Sequence, residues 1–311
     1  MHMKIAVIGC TESTKKFVNE ILKNNEFEII GIFTLEDKYA NKKARFASLD
    51  DLAQKNNIKL FKVDKINDSK IIKLIKNLNP DIILESGWSQ IIPKEILEIP
   101  NKGCIGVHNS FLPQNQGAAS LNWALIKGEK EWGVTLFYLE DKIDKGDIID
   151  QRKFDINERD NIRTLFAKAD SLAVEMLRKN LPLIKESKAP RKRQNKEEAT
   201  YLPRRKPEDG KIDWKKSNTE IYNLIRAITK PYPGAFTFYN NKKIFIWESE
   251  IAAGSGEKSG VIAKILDRKG IVVGTGRGNL LIKKAQFEDG IEMSGDDFAK
   301  KYNLKESEKF D

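Results

Sequence analysis

The first 160 residues alternate short apolar runs with stretches in which apolar side chains recur at helical spacing. The apolar runs have the length of buried strands and lie at residues 4–9, 28–33, 59–62, 81–84 and 104–107. The helical stretches cover residues 11–24, 48–53, 68–78 and 119–127. Because strands and helices alternate, the pattern predicts an α/β fold with a mostly parallel sheet.

The pattern changes in the second half of the chain. A long helix at 161–180 is followed by a connector at 186–207 rich in Lys, Arg and Pro, and by another helix at 217–229. Short strands separated by Gly and Asn then follow at 235–239, 243–249, 259–266, 270–274 and 279–286. They predict a small β-rich, barrel-like domain. We therefore expect domains at 1–185 and 235–311, joined by a basic connector and helix at 186–234.

Composition narrows the class of protein. With 311 residues, 40% of them hydrophobic, the chain is long enough for two cores. The two cysteines, Cys10 and Cys104, are too few for a disulfide framework, and no Cys/His spacing typical of a metal site occurs. No apolar run has the length of a membrane span or of a secretory segment. We expect a soluble, cytoplasmic protein that binds no metal.

The net charge is +10, with a pI near 9.3, which raises the question of nucleic-acid binding. The lysines are scattered along the whole chain, however, and are interspersed with Asn and Ile. Such a distribution is typical of ordinary solvated faces. On this ground we do not expect nucleic acid as a partner.

One histidine is the candidate general base. The chain has two histidines, and His2 belongs to a Met-His-Met start typical of a cloning remnant. His108 is thus the remaining imidazole for chemistry near neutral pH. It follows the apolar run 104–107, and in a doubly wound sheet ligands bind beyond the carboxyl ends of the strands. The alternative is a core histidine that hydrogen-bonds to backbone.

An acidic loop follows the next strand. Residues 132–139 are apolar and residues 140–148 contain Glu140, Asp141, Asp144 and Asp147 around Gly146. A loop at a strand end can bring one carboxylate to the imidazole.

A series of motifs runs through this half of the chain: His-x-Ser-x-Leu-Pro at 108–113, Gly117, Trp-Ala-Leu-Ile at 123–126, Gly-Val-Thr-Leu at 133–136 and Asp-x-Gly-Asp-Ile at 144–148. Together they resemble the folate-dependent formyltransferase family, which includes methionyl-tRNA, glycinamide-ribonucleotide and sugar-nucleotide formyltransferases. Further on, Arg-Arg-Lys-Pro-Glu-Asp-Gly at 204–210 and Pro-Tyr-Pro-Gly-Ala-Phe at 231–236 are most similar to sugar-nucleotide N-formyltransferases.

The resemblance implies a Rossmann-like formyltransferase core followed by the small β-rich domain. It implies that 10-formyltetrahydrofolate is the formyl donor and that the acceptor is the amine of an amino sugar on a dTDP or UDP carrier, in surface-glycan synthesis. A homodimer is a further expectation. The alternatives are a methionyl-tRNA formyltransferase, or a degenerate homologue that binds folate or nucleotide without catalysis.

The resemblance also implies the site residues. His108 and Asp144 match the family's catalytic His and Asp, whereas the family's Asn position is Gly106 and the arginine before the loop glycine is Gln116. Asn109, a backbone N–H or a water is therefore expected to replace the Asn amide, and Asn109 can do so only if the chain turns there. For the folate donor the implied residues are Gly87, Trp88, Ser89, Ile91, Ser110, Phe111 and Leu112. For the acceptor they are Cys10, Thr11, Arg204, Arg205 and Tyr232.

Overall fold

The computed structural model describes residues 2–254 and 258–311. These residues form two compact units. Unit 1 comprises the chain to Ser120 together with Glu131–Phe154 and Ala167–Leu202. Unit 2 comprises Leu121–Lys130, Asp155–Phe166 and Pro203–Asp311. The division into 1–185, 186–234 and 235–311 stays a prediction.

Unit 1 is built on a seven-stranded sheet with the strand order β3-β2-β1-β4-β5-β7-β8. Its strands are β1 (Met3–Gly9), β2 (Phe27–Leu35), β3 (Leu60–Val63), β4 (Ile82–Ser86), β5 (Cys104–His108), β7 (Glu131–Tyr138) and β8 (Ile148–Asp155). Two further strands, β6 (Gln116–Gly117) and β9 (Tyr201–Leu202), form a separate two-stranded sheet. Strands β1 to β5 pair in parallel and β7 pairs antiparallel with β5. The predicted α/β fold with a mostly parallel sheet is confirmed.

The helices up to the end of this unit are α1 (Glu12–Ile21), α2 (Asp50–Lys55), α3 (Ser69–Leu78), α4 (Lys94–Leu97), α5 (Ser120–Lys127) and α6 (Ile162–Lys185). Most of α5 belongs to unit 2, whereas α6 belongs to unit 1 from Ala167 onward. Helix α6 runs five residues beyond the predicted end at 180, because the apolar stripe continues through Leu181 and Ile184, each 2% exposed. Pro182 lies inside the last turn of the helix.

The central strands are buried on both faces. Ile5, Val7, Ile82 and Leu84 have no exposed surface. Near-continuous apolar strands of this kind are typical of parallel sheets that are covered on both sides. The polar side chains at the ends of these strands therefore lie at the edge of the apolar core.

Unit 2 contains an antiparallel sheet with the order β10-β11-β14-β13-β12, and β15 pairs with β14. Its elements are α7 (Asn218–Ile228), β10 (Ala235–Tyr239), β11 (Lys242–Ala252), β12 (Ile262–Leu266), β13 (Gly270–Gly274), β14 (Asn279–Phe287), β15 (Met293–Ser294) and α8 (Gly295–Lys301). Helix α7 starts at a capping box in which Ser217 and Glu220 satisfy each other's backbone N–H groups. The predicted β-rich C-terminal part is confirmed.

Within residues 2–254 and 258–311, no helix combines the length and the apolar character that crossing a membrane requires.

Candidate active site

The carboxyl ends of three parallel strands meet at one edge of the unit 1 sheet. Gly9 of β1 is the register partner of Ser86 in β4, and Glu85 is the partner of Gly106 in β5. Parallel pairing therefore brings the segments after β1, β4 and β5 together, which is the usual place for a ligand in such a sheet. His108 is the last residue of β5.

The imidazole of His108 lies between two acceptors. Its Nδ1 is 3.5 Å from Asp144 Oδ2, and its Nε2 is 3.0 Å from the carbonyl oxygen of Asn115. A neutral ring has one N–H, and the shorter contact assigns it to Nε2, donating to Asn115. The 3.5 Å separation from Asp144 is longer than a typical hydrogen bond. The structure thus brings His108 and Asp144 together.

Asp144 is held by the surrounding loops. It adopts a left-handed backbone conformation with φ of 56°, which Asp tolerates better than most residues. The N–H of Gly117 donates to its Oδ2 at 2.8 Å. Its carbonyl oxygen accepts hydrogen bonds from the amides of Gln116 (3.1 Å) and Gln194 (2.9 Å). Gln116, at the position of the family's arginine, therefore positions the Asp144 turn, and Gln194 is a second support that the sequence did not single out.

The segment after His108 is fixed by Thr135 on β7, the register partner of His108. Thr135 Oγ1 donates to the carbonyl of Ser110 (2.7 Å) and accepts from the N–H of Leu112 (3.1 Å). Ser110 and Leu112 are fully buried, and the Ser110 hydroxyl donates to the carbonyl of Gln114. Both residues were predicted to contact the folate donor, and in this structure their side chains form the inner layer of the loop. Phe111 between them is 37% exposed.

At Gly106, the position of the family's Asn, neighbouring side chains occupy the space that an Asn side chain would take. A Cβ at position 106 would lie 2.8 Å from Leu139 Cδ2 and 3.1 Å from Glu85 Oε2. Asn109 is half-buried, and its carbonyl accepts a hydrogen bond from Trp132 Nε1 at 2.6 Å. No atom of Asn109 is among the three nearest to the position-106 Cβ, the farthest of which is 3.5 Å away. The role predicted for Asn109 stays a prediction.

Glu85 is a site residue that sequence reasoning missed. Its Oε1 accepts a hydrogen bond from the backbone N–H of Trp88 at 2.8 Å. Burial raises the pKa of its carboxyl to about 7, and the nearby Asp144 adds to the rise, while Lys43 and the Trp88 N–H oppose it. An acidic residue at the end of the apolar run 82–84 was the signal that could have identified it.

The segment after β4 carries most of the residues predicted to bind the donor. Gly87 has φ of +68° and lies against the side chain of Thr11, with Thr11 Oγ1 at 2.3 Å from an ideal Cβ, so a larger residue would not fit. Cys10 is buried with its Sγ 3.5 Å from the Gly87 carbonyl. Burial raises the pKa of the Cys10 thiol, which keeps it neutral. Cys10 and Thr11, predicted to bind the acceptor, thus lie against the predicted donor segment.

Trp88, Ser89 and Ile91 continue this segment. Trp88 packs on the core cluster around Ile83 and Ile96, and its buried Nε1 has no hydrogen-bond partner in the described structure. Ser89 is exposed, and Ile91 is an apolar side chain that is 66% exposed. An apolar surface beside a buried N–H without a partner fits a flat heterocycle with acceptor atoms such as a pterin.

Three predicted acceptor residues belong to unit 2. Arg205 donates to the carbonyl of Asp209 (2.7 Å) and its guanidinium lies 5.0 Å from the Trp123 ring centroid. Arg204 is exposed and forms no hydrogen bond or ion pair with any described residue. Tyr232 stacks on Phe166 with ring centroids 6.4 Å apart.

Unit 2 also contains a cavity of about 570 Å³ beside α7 and β11. Its lining includes Arg159, Arg163 and Lys230, but also Glu248 and Glu292. Because both signs of charge line it, the cavity favours neither an anionic nor a cationic ligand.

A partly buried His–Asp pair at the carboxyl edge of a Rossmann-like sheet is typical of an α/β enzyme that uses acid–base chemistry. Residues 3–181 match the formyl transferase family, and residues 204–303 match the formyl transferase C-terminal domain. The chain belongs to the formyl transferase family and is a formyltransferase. Enzymes of this family take the formyl group from 10-formyltetrahydrofolate.

Relatives and solved structures agree with this family. Methionyl-tRNA formyltransferase of Clostridioides difficile (strain 630) is 37% identical over 295 residues, covering 94% of each chain. HypX from Aquifex aeolicus, solved in complex with tetrahydrofolic acid, has a TM-score of 0.70 at 18% identity and covers 99% of this chain, which spans 49% of HypX. WlaRD, a sugar 3N-formyl transferase, has a TM-score of 0.66 at 24% identity over 94% of this chain and 100% of its own. The two solved structures establish the fold alone.

The prediction of a sugar-nucleotide acceptor is wrong. Curated relatives that are 30 to 37% identical over 94% or more of this chain are named methionyl-tRNA formyltransferase. The prediction relied on the segments at 204–210 and 231–236, and the structure gives a packing reason for their glycines. Gly210 packs on Gly234, whose carbonyl oxygen is 2.7 Å from the ideal Cβ of Gly210, and the N–H of Ile212 donates to the carbonyl of Phe236. The two segments pack against each other, so the fold of unit 2 accounts for their glycines without a contact to a sugar nucleotide.

Proposed function

We propose that this enzyme transfers the formyl group of 10-formyltetrahydrofolate to the α-amine of methionyl-tRNA. The observation that carries the proposal is the 37% identity, over 94% of both chains, to a protein named methionyl-tRNA formyltransferase. The net charge of +10 also fits a polyanionic acceptor, since basic side chains that contact phosphates release counterions. The proposal replaces the expectation that nucleic acid is not a partner.

His108 acts on the proton of the attacking amine. The α-amine attacks the formyl carbon as a neutral nucleophile and loses a proton when the new C–N bond forms. A ring nitrogen of His108 accepts this proton and returns it to the folate nitrogen that leaves. For Nε2 to be the base, the ring proton must be on Nδ1, where Asp144 Oδ2 is its partner, and the contact with the Asn115 carbonyl must give way to the substrate.

Asp144 orients the ring and stabilises the imidazolium that forms. Its carboxylate is restrained by the Gly117 N–H and its backbone by two glutamine amides, so it does not need to reorganise when the ring becomes charged. This restraint explains why a left-handed aspartate is held at the turn after β7.

The residues at the end of β4 fit the donor. Trp88 offers a buried N–H, and Ile91 and Phe111 offer exposed apolar surface. Gly87 lets the chain turn tightly between them. We assign the donor site to this segment.

Arg204 is the residue of unit 2 we assign to a tRNA phosphate, because it is exposed and without a partner among the described residues. Arg205, whose guanidinium donates to the Asp209 carbonyl and lies over the Trp123 ring, is the matched control. Loss of one phosphate contact lowers the slope of log affinity against log salt by about 1.

The test is a formylation assay with the purified protein, 10-formyltetrahydrofolate and methionyl-tRNA, followed by detection of formylmethionine after deacylation. Deacylated tRNA and a tRNA charged with another amino acid are the controls for the acceptor. Arg204→Ala is expected to weaken tRNA binding and to reduce its salt dependence, whereas Arg205→Ala keeps the salt slope. A protein that binds tetrahydrofolate but leaves methionyl-tRNA unformylated would refute the proposal.

A further inference from the structure

The space beside Gly106 is filled by a carboxyl group. Glu85 and Gly106 are direct register partners on β4 and β5, and Glu85 Oε2 is 3.1 Å from where a Cβ of residue 106 would stand. In an asparagine at 106 the side chain would start at this point. His108 lies two residues along the same strand, so both positions face the same side of the sheet.

The two carboxyl oxygens of Glu85 have different surroundings. Oε1 accepts the backbone N–H of Trp88, whereas Oε2 has no hydrogen-bond partner among the described residues and faces Gly106. Glu85 as a residue is only partly buried. A protonated carboxyl in this orientation has its hydroxyl on the Gly106 side.

The charged and titratable groups that act on Glu85 are Lys43, Asp144 and Cys10. Burial is the largest effect and holds the pKa of Glu85 at about 7, so the neutral acid is populated at and below neutral pH. A neutral carboxylic acid is a hydrogen-bond donor, as an amide is.

We infer that Glu85, as a neutral carboxylic acid, donates a hydrogen bond to the oxyanion of the formyl-transfer intermediate and thereby replaces the amide missing at Gly106. The inference rests on the proposed function for the identity of the acceptor. When the amine attacks, the C=O π electrons move onto the formyl oxygen, and the Glu85 O–H stabilises that charge without giving up its proton. The intermediate collapses as the C–N bond to folate breaks, and His108 protonates the leaving nitrogen.

Asn109 is the competing candidate. A hydrogen bond from Trp132 Nε1 holds its backbone carbonyl. None of its atoms is among the three nearest to the position-106 Cβ, whereas a Glu85 oxygen is. The structure therefore favours the residue on the neighbouring strand over the one on the following loop.

A matched pair of variants tests the inference. Glu85→Gln keeps an acceptor for the Trp88 N–H and offers an amide donor in place of the hydroxyl. Glu85→Met has a similar length and no donor. We expect kcat at pH 6.5 to stay within about fivefold of wild type in Glu85→Gln and to fall by about 100-fold or more in Glu85→Met, the effect of one oxyanion donor. The dissociation constant for tetrahydrofolate, measured by calorimetry, should change little in either variant.

The pH dependence separates a donor from a structural role. The neutral form of Glu85 is lost as pH rises through about 7, whereas an amide does not titrate. The ratio of wild-type to Glu85→Gln rates, in which the ionisation of the acceptor amine cancels, should therefore fall between pH 6 and pH 8.5. Infrared difference spectra of the two proteins should show a carboxylic acid C=O band at pH 6 that belongs to Glu85.

Each failure has its own signature. Three outcomes overturn the inference and leave the proposed function intact, provided that the wild type formylates methionyl-tRNA. They are an unchanged kcat in Glu85→Met, an equal loss of kcat in the Gln and Met variants, and an ionised Glu85 at pH 6. A wild type that does not formylate methionyl-tRNA overturns the proposed acceptor. Glu85 is then tested by hydrolysis of 10-formyltetrahydrofolate, in which water attacks the same carbon, with the same expected order of rates.

Discussion

Replacement of Thr135 by valine should loosen the loop that follows His108. The Thr135 side chain is fully buried, and its hydroxyl connects three groups. It donates to the carbonyl of Ser110 and accepts from the N–H of Leu112 and from the side-chain amide of Gln151, at 2.7, 3.1 and 3.0 Å. Valine has the same shape and lacks the hydroxyl, so the change removes the hydrogen bonds with little change in packing volume.

The magnitude follows from what each partner retains. Gln151 still donates to the carbonyl of Leu112, whereas the Leu112 N–H and the Ser110 carbonyl are left without a partner in a buried site. A buried polar group without a hydrogen bond costs about 1–3 kcal/mol, so Thr135→Val should lower the free energy of unfolding by about 2–4 kcal/mol. Thr135→Ser keeps the hydroxyl and loses one methyl group, which costs about 1 kcal/mol.

The assay is urea unfolding at constant m-value, together with hydrogen exchange of the peptide that contains Leu112 and steady-state formyl transfer. Thr135→Val should expose the Leu112 amide to exchange and lower kcat/KM by about 10-fold to 100-fold, because the loop next to His108 is displaced. Thr135→Ser should behave like wild type in exchange and activity. A valine variant at least as stable as the serine variant would refute the reasoning.

Other residues give three further predictions. His108→Ala and Asp144→Ala should each remove most formyl transfer and leave tetrahydrofolate binding and the melting temperature nearly unchanged; wild-type turnover in either would reject the site. A hydrogen bond from Arg178 lowers the pKa of Glu20 to about 2, so the pair stabilises the fold above pH 4.5 and this contribution is lost as pH falls from 4.5 to 2. Glu20→Gln should therefore weaken the dependence of the unfolding free energy on pH between 4.5 and 2, and an unchanged dependence would contradict the assignment. Arg226 is 9% exposed and its guanidinium donates to the backbone carbonyls of Asn157 and Asp160. Arg226→Met should therefore lower the free energy of unfolding by about 2–4 kcal/mol in chemical denaturation, and a loss below 1 kcal/mol would be inconsistent with these bonds.

The sequence alone determined the order of elements and the choice of His108 and Asp144 as the candidate catalytic pair. Apolar runs such as 4–9 and 81–84 form strands that are buried on both faces. A strand of this kind needs consecutive apolar side chains instead of an apolar–polar alternation, and that pattern can be read from the run itself. His108 and Asp144 could be identified because the chain has one candidate imidazole beside recognisable motifs, and the structure places the two side chains 3.5 Å apart.

The acceptor could not be predicted in the same way. The segments at 204–210 and 231–236 look distinctive, but Gly210 and Gly234 are small because their backbones pack together, and sequence cannot distinguish that constraint from a ligand contact. The likeness over the full chain corrected this interpretation.

Tertiary structure alone decided which groups complete the site. Glu85 is 21 positions before Gly106 in the chain and lies beside it because β4 and β5 pair in register, and its pKa depends on the burial that this pairing produces. Gln194 reaches the Asp144 turn from 50 positions away for the same kind of reason. Strand identity follows from local side-chain character, whereas the contacts between strand ends, and the pKa values that result from them, depend on register and packing across the whole sheet.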